Sequence, residues 1–439
     1  MSASSLIEKD LRYIWHPCSQ MKDYETLKPL EVIGANGCYI TLANGNKLID
    51  ANSSWWCKLL GHQHPRLKAA IKKQMERFEH VALTNLTNAT IVTLSEKLAQ
   101  LTSNLDKVFY ASDGACAIEI AMKMSLHSRK IAGDKKRTQF MALENGYHGE
   151  TIGALSVSDI GIYRDPYRSM LIDTNFLSPL PYVLNTQDPL WQDSQFYWER
   201  IEKKLAPFSE TLTAILVEPI VQGAGGMKIY AQDFLKRLRA WTKQHHIHLI
   251  ADEIMTGMGR TGKMLACQHA DIEPDFLCLS KSLTGGWLPL SAVLTHQSIY
   301  DLFYDDYKKG KSFLHSHTYS GNALAASVAI EVLNLIEEEN VVEKANQVGQ
   351  TMYENMLTIA DDTKKLSHVR SIGAMVAADL ICYPRERVGF EIYKKAIALG
   401  AFMRPLGNTI YWLPPLSMDV DTLTKLKIIT EQAIQSVLF

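Results

Sequence analysis

Asp252 and Lys281 each close an apolar, strand-like run, His248-Leu249-Ile250-Ala251-Asp252-Glu253 and Asp275-Phe276-Leu277-Cys278-Leu279-Ser280-Lys281. Runs of this kind, bounded by turn or helix signals, read as buried parallel strands, and open α/β sheets bind ligands at the carboxyl ends of their strands. A carboxylate and an amine in such positions supply both halves of what pyridoxal phosphate needs. A lysine holds its aldehyde as a Schiff base, and a carboxylate keeps its ring nitrogen protonated, so that the ring withdraws electrons from a carbanion. The pair also has an ordinary reading, because a lysine beyond a strand is commonly solvated and a buried carboxylate is commonly a cap or an ion-pair partner. The neighbouring residues decide between the two.

Strand Val108-Phe109-Tyr110 runs into Ala111-Ser112-Asp113-Gly114-Ala115 and then into an amphipathic helix over Cys116 to Ser128. A helix N-terminus after a glycine turn attracts anions, since its free N–H groups and its dipole both favour a phosphate; the same residues would also make a plain N-cap. The next strand ends in Asn145-Gly146-Tyr147-His148-Gly149-Glu150, which puts an aromatic ring and an imidazole on the same rim. Tyr147 is placed there to stack on a planar cofactor or simply to pack. Gly257-Met258-Gly259-Arg260-Thr261-Gly262 matches the dinucleotide fingerprint G-x-G-x-x-G, but it lies deep in the chain and leads into Lys263-Met264-Leu265 with no helix start. That context excludes a nicotinamide site. The glycines are expected to make a tight loop that presents Arg260 to the pocket.

The elements that must position these residues alternate between helices of period 3.6 and short apolar strands from about residue 65, which implies a parallel sheet covered on both faces. The expected strands are Val108 to Tyr110, Gln139 to Leu143, Ala214 to Glu218, Leu249 to Ile254, Phe276 to Leu279 and Ser291 to Leu294. Residues 30 to 50 read as a small meander with an Asn44-Gly45 hairpin turn. A long helix from Ala325 through Glu339 leads into a C-terminal α+β region containing Ile372 to Leu380 and Ile410 to Leu413, and the polar stretch 183 to 195 looks like a surface loop. The expected division is an N-terminal segment 1–62 packing with a small domain, a large cofactor-binding α/β domain 63–325, and the small α+β domain 326–439.

At 439 residues the chain exceeds one compact core, and a formal net charge of -1 leaves no general footprint for nucleic acid or anionic membrane. Seven scattered cysteines contain no C-x-x-C pair and are expected to be reduced thiols. His62 and His64, like His245, His246 and His248, lack a spaced set of further ligands, so no metal is expected. With no signal-peptide core and no apolar run long enough to span a bilayer, the expected location is the cytosol.

In this order the pieces resemble the class III, fold type I, pyridoxal-phosphate aminotransferases over nearly the whole chain. The landmarks are Glu218-Pro219-Ile220, Asp252-Glu253 with the Gly257 to Gly262 loop, Lys281 with Gly285-Gly286, and His317-Thr318-Tyr319-Ser320-Gly321-Asn322. Trp15-His16-Pro17, Ser53-Ser54-Trp55-Trp56, the Asn145 to Gly149 segment and Met403-Arg404-Pro405-Leu406-Gly407 narrow the resemblance to the adenosylmethionine:8-amino-7-oxononanoate aminotransferase family of biotin biosynthesis. That family implies a cytosolic homodimer with active sites at the interface, using 8-amino-7-oxononanoate and S-adenosyl-L-methionine. By matching position it implies that Lys281 forms the Schiff base, Asp252 pairs the ring nitrogen, Gly114 and Ala115 bind phosphate through backbone N–H, and Tyr147 stacks on the ring. Thr318 would reach the cofactor phosphate of the neighbouring subunit, and His317 counts with it among the cofactor-binding residues. Trp55, Trp56, Arg260 and Ser316 fall among the substrate contacts, and Arg404 where the substrate carboxylate binds.

Two positions depart from the family pattern. Asp113 stands where relatives commonly carry serine, so its carboxylate is expected to turn away and cap backbone N–H groups. Cys18 replaces a tyrosine of adenosylmethionine-using relatives, which makes lysine the alternative donor. The rival readings are another class III enzyme of the ω-amino acid or ornithine type, which would share Lys281 and Asp252 but lack the paired tryptophans and Arg404-Pro405, and a non-catalytic cofactor sensor, which should carry a DNA-binding extension that this sequence lacks.

Overall fold

A computed structural model describes residues 5–383 and 386–439. Its strands, in chain order, begin with the meander β1 (Val32–Asn36), β2 (Tyr39–Leu42) and β3 (Lys47–Asp50). Next come β4 (Lys107–Ala111), β5 (Gln139–Leu143), β6 (Asn175–Leu177), β7 (Tyr182–Val183), β8 (Leu212–Val217), β9 (Val221–Gln222) and β10 (Lys228–Tyr230). The chain continues with β11 (His248–Asp252), β12 (Phe276–Leu279), β13 (Ser291–Thr295), β14 (Leu366–Ile372), β15 (Met375–Leu380), β16 (Ala401–Phe402) and β17 (Thr409–Trp412).

The central sheet has the order β4-β13-β12-β11-β8-β5-β6. β11 pairs in parallel with both β12 and β8, and β5 with both β8 and β6, whereas β13 runs antiparallel to β12 and β4. The expected mostly parallel α/β sheet is therefore observed. All residues of β8, β12 and β13 are buried, as strands covered on both faces must be. One covering helix, Gly114–Ile131, buries Ala117, Ile118, Ile120 and Ala121 and packs on β12 and β13.

Sequence periodicity missed three features here. β6 is too short to show a pattern. The reversed direction of β13 leaves no trace in a strand buried at every residue. β11 stops at Asp252 rather than Ile254, because Asp252 Oδ1 accepts the Ile254 N–H at 3.1 Å and turns the chain.

The smaller sheets involve both ends of the chain. β14, β15 and β17 form an antiparallel sheet, and Ile372 to Leu380 is not one stretch but part of a hairpin turning at Gly373, whose φ is +49°. The meander recruits β16 in parallel beside β3, pairing Ile49 with Ala401 and Asp50 with Phe402. The long helix runs Ala323–Glu338, with Asn322 Oδ1 accepting the Ala325 N–H at 2.9 Å as its cap. The 183–195 stretch is not wholly a surface loop, since Trp191 packs into the core beneath it. No helix among the described residues is long and apolar enough to cross a membrane.

Candidate active site

A cavity of about 470 Å³ opens at the carboxyl ends of the central strands, lined among others by Trp56, Asp113, Gly114, Ala115, Tyr147, His148, Glu218, Asp252 and Lys281. The pairing of Asp252 with Cys278 between β11 and β12 sets the carboxylate beside the strand that carries Lys281. Lys281 opens a short 3-10 turn in the left-handed region, with φ +42°, and its Nζ lies 5.3 Å from the centroid of the Trp56 ring. A non-glycine residue there is strained, and such strain is retained where the surroundings impose it, often at active sites. Burial lowers the Lys281 pKa below the ordinary lysine value, opposed by Asp252, Glu218 and Cys57. The neutral amine, the form that attacks a carbonyl, is thereby favoured.

Asp252 is buried and its Oδ2 lies 2.8 Å from His148 Nδ1. His148 is itself buried, its backbone N–H donates to Ser158 Oγ at 2.9 Å, and its Nε2 has no partner among the described residues. Next to this pair, Glu218 accepts the N–H of Tyr147 and the N–H of Gly223, each at 2.9 Å. Burial raises the Glu218 pKa to about 7, with Asp252 adding to the rise and His148 opposing it. Glu218 thus fixes the backbone of Tyr147, whose hydroxyl donates to Glu150 Oε1 at 2.9 Å and whose ring meets Tyr163 edge-on at 5.7 Å. Burial, then Glu150, push the Tyr147 phenol well above the usual tyrosine value.

Another part of the wall is the start of helix Gly114–Ile131. Asp113 is its N-cap, and its Oδ1 accepts the Cys116 N–H at 2.9 Å, as its expected outward turn requires. The amides of Gly114 and Ala115 are left without an intrahelical partner, as the first amides of any helix are. A Cβ on Gly114 would stand 2.8 Å from Ile254 Cδ1, so a larger residue there would require the Ile254 side chain to move.

Trp55 and Arg404 stand together beside this cavity rather than on its lining. The Arg404 guanidinium lies 5.3 Å from the Trp55 ring centroid and donates to the Cys18 carbonyl, while its backbone N–H donates to Asn52 Oδ1 at 2.6 Å. Cys18 Sγ in turn contacts Tyr163 Oη at 3.4 Å. Trp55 is 47% exposed, whereas Trp56 is buried and donates its Nε1–H to Tyr411 Oη at 2.9 Å.

Four further expected site residues lie outside the cavity of their own chain. Arg260 is not presented to the pocket. It is buried, and its Nη1 donates to the carbonyls of Ala374 at 3.1 Å and Pro414 at 2.8 Å, tying the glycine loop to the β14–β15 hairpin. Burial lowers its pKa to about 9. Ser316, His317 and Thr318 do not line the cavity of their own chain; Ser316 and Thr318 are exposed, and the Thr318 carbonyl lies 2.9 Å from His80 Nε2. His148 was visible in the sequence only as an imidazole on the rim and Glu218 only as a landmark, and neither pattern revealed the contact with Asp252 or with the Tyr147 backbone.

A family model of the class III aminotransferases matches residues 21–434. The chain belongs to the class III aminotransferases. It is 41% identical over 425 residues to the adenosylmethionine-8-amino-7-oxononanoate aminotransferase of Helicobacter pylori, covering 96% of this chain and 95% of that one. The enzyme of the same name from Aquifex aeolicus is 36% identical over 431 residues, with 96% and 95% covered. The crystal structure of that enzyme from Methanocaldococcus jannaschii superposes with a TM-score of 0.91 at 33% identity over 99% of each chain. A PLP-bound amine transaminase from an uncultivated Pseudomonas species gives 0.88 at 29% identity, over 97% of this chain and 99% of that one.

The cofactor of this class III aminotransferase is pyridoxal 5′-phosphate. The cavity fits it on physical grounds: free helix amides suit a phosphate, a buried carboxylate braced by an imidazole suits a protonated ring nitrogen, and a desolvated lysine suits an aldehyde.

Proposed function

We propose that this enzyme converts 8-amino-7-oxononanoate to 7,8-diaminononanoate in biotin biosynthesis, with S-adenosyl-L-methionine as the amino donor. The observation that carries the substrate is the Trp55–Arg404 pair: an aromatic face and a guanidinium side by side next to the cavity, with the Arg404 backbone tied to Asn52. A substrate with a carboxylate at the end of an apolar chain suits such a pair, since a guanidinium binds a carboxylate through two parallel hydrogen bonds. The names of the full-length relatives point to the same substrate and donor.

When bound, pyridoxal phosphate supplies an aldehyde for amines and a ring that draws electrons from the carbon next to the transferred nitrogen. Gly114 and Ala115 would hold its phosphate, Lys281 its aldehyde carbon and Asp252 its ring nitrogen, with Tyr147 at its face. Lys281 Nζ, its amine then free, would serve as base and acid, moving a proton from one of the two carbons bonded to the migrating nitrogen to the other. His148 holds the Asp252 carboxylate in place while this happens. Glu218 keeps Tyr147 seated against the cavity.

Active sites shared between two copies of the chain accord with the exposure of Ser316 and Thr318 away from their own cavity; Thr318 then serves the partner's phosphate. The division into segments 1–62, 63–325 and 326–439 suits this arrangement, with the first packed on the last through β3 and β16.

Lysine is a second donor reading, favoured by Cys18: a thiol where a tyrosine would stand leaves room beside Tyr163 and removes a hydroxyl. The test is single turnover with each donor at equal concentration, followed by transfer to 8-amino-7-oxononanoate. Faster decay of the Lys281-linked cofactor band with adenosylmethionine supports the first reading. Faster decay with lysine replaces the donor, and failure of 8-amino-7-oxononanoate to restore the band overturns the substrate.

A further inference from the structure

The segment Ser53–Trp56 carries an unusual backbone. Ser53, Ser54 and Trp56 have φ of +49°, +58° and +66°, three non-glycine residues in the left-handed region within four positions. Each is disfavoured by contact of its Cβ with the backbone, so an outside group must hold the turn. That group is Asp50, the fully buried last residue of β3. Its two carboxylate oxygens accept the Ser54 N–H at 2.8 and 2.7 Å, and they also take the Asn52 N–H and the Ser54 hydroxyl, each at 3.3 Å. His62 Nε2 braces the same carboxylate at 2.9 Å.

What leaves this turn reaches both halves of the site. Trp56 lines the cavity against Lys281, and Trp55 faces the Arg404 guanidinium. Arg404 is bound to the same support twice over, because Asn52 Oδ1 accepts its N–H and because β16, which pairs Phe402 with Asp50, leads directly into it. A shift of the turn therefore moves the aromatic wall and the guanidinium together.

We infer that Asp50 is a positioning residue for substrate recognition: its buried carboxylate, braced by His62, sets the placement of Trp55 against Arg404. This rests on Arg404 as the carboxylate site proposed above. Asp50 touches neither Lys281 nor Asp252, and the Trp56 ring beside Lys281 has its own anchor in Tyr411, so the loss of the Asp50 clamp falls on the binding of the keto acid rather than on the transfer of the amine.

The test uses the holoenzyme with Asp50→Asn, alone and combined with Arg404→Ala. The amide keeps the size of the side chain but offers one acceptor oxygen instead of two. KM for 8-amino-7-oxononanoate should rise about tenfold with kcat within about twofold, and in the Arg404→Ala background the same change should alter KM by less than about twofold, because residues acting through one contact are not additive. The near-ultraviolet circular dichroism of the tryptophans should change as well. Should Asp50→Asn fail to fold, Asn52→Ala removes only the clamp on the Arg404 amide and should give the same split, with KM up about fivefold. An equal KM effect in both backgrounds, or kcat falling as far as kcat/KM, overturns the inference. If the parent enzyme does not turn over 8-amino-7-oxononanoate, the substrate reading has failed, and the dichroism alone judges Asp50: an unchanged tryptophan spectrum in Asp50→Asn then rejects it.

Discussion

His148 Nδ1 lies 2.8 Å from Asp252 Oδ2 inside the protein, and the other nitrogen of the ring has no partner among the described residues. A carboxylate only accepts, so Nδ1 carries the proton of this bond. The imidazole thus spends its one defined hydrogen bond on orienting Asp252. His148→Ala should leave the cofactor bound and slow amine transfer by on the order of 10- to 100-fold, and Asp252→Asn by on the order of 100-fold or more. Stopped-flow rates for the donor half-reaction check both. If His148→Ala still slows the reaction as strongly in the Asp252→Asn background, the imidazole acts by some other route.

Lys281 is the residue whose loss should be most damaging, since nucleophile and proton carrier vanish together. Lys281→Ala should lower turnover at least ~10³-fold. Borohydride reduction of the parent enzyme followed by peptide mapping should place the cofactor on Lys281. Label on another lysine contradicts the assignment.

Glu218 gives a pH signature. Its folded pKa of about 7 stands above the ordinary value of 4.5, so the folded protein binds a proton that the unfolded chain has released. The contribution to stability is therefore fully present below the lower value and is lost as pH rises through the upper one, up to about 3 kcal/mol in all. Urea unfolding of the cofactor-free protein between about pH 5 and about pH 8 should show a flatter decline for Glu218→Gln than for the parent. Parallel curves for the two proteins would show that Glu218 does not titrate there.

Arg404→Ala should reduce kcat/KM for 8-amino-7-oxononanoate by ~2–4 kcal/mol, the range for breaking a desolvated charge pair. Arg404→Lys should recover only part of this, since an ammonium cannot form two parallel bonds to a carboxylate. Steady-state kinetics with both variants decide the point, and an unchanged value in Arg404→Ala locates the carboxylate elsewhere.

The parts of the site that lie at strand ends were legible in the sequence, because an apolar run that stops at a charged residue marks both the strand and the position of its last side chain. Asp252, Lys281, Tyr147 and the Gly114 amides all belong to this group, and all line one cavity. What was hidden depends on partners distant in the chain. Arg260 sits in a loop of the expected kind, yet the carbonyls that draw its guanidinium inward belong to Ala374 and Pro414, which no local pattern connects to it. Asp50 looked like the end of a hairpin strand. Its importance appears only when the turn after it is seen to be left-handed at three residues. The place of the antiparallel β13 can be read in the sequence to within one residue but its direction cannot, since side-chain pattern reports burial and not polarity of the chain.

The pairing of β3 with β16 and the bond from Trp56 to Tyr411 join residues some 350 positions apart. On the ribosome, where chains grow at ~5–20 residues per second, the tryptophan wall must wait roughly 20–70 seconds for its support to emerge. The Gly114 and Ala115 amides, in the segment 108–131, emerge long before that. Synthesis therefore produces a chain whose central sheet, complete at Thr295, can form while its substrate end is still missing, so the backbone around Lys281 is in place before the support of the tryptophan wall arrives.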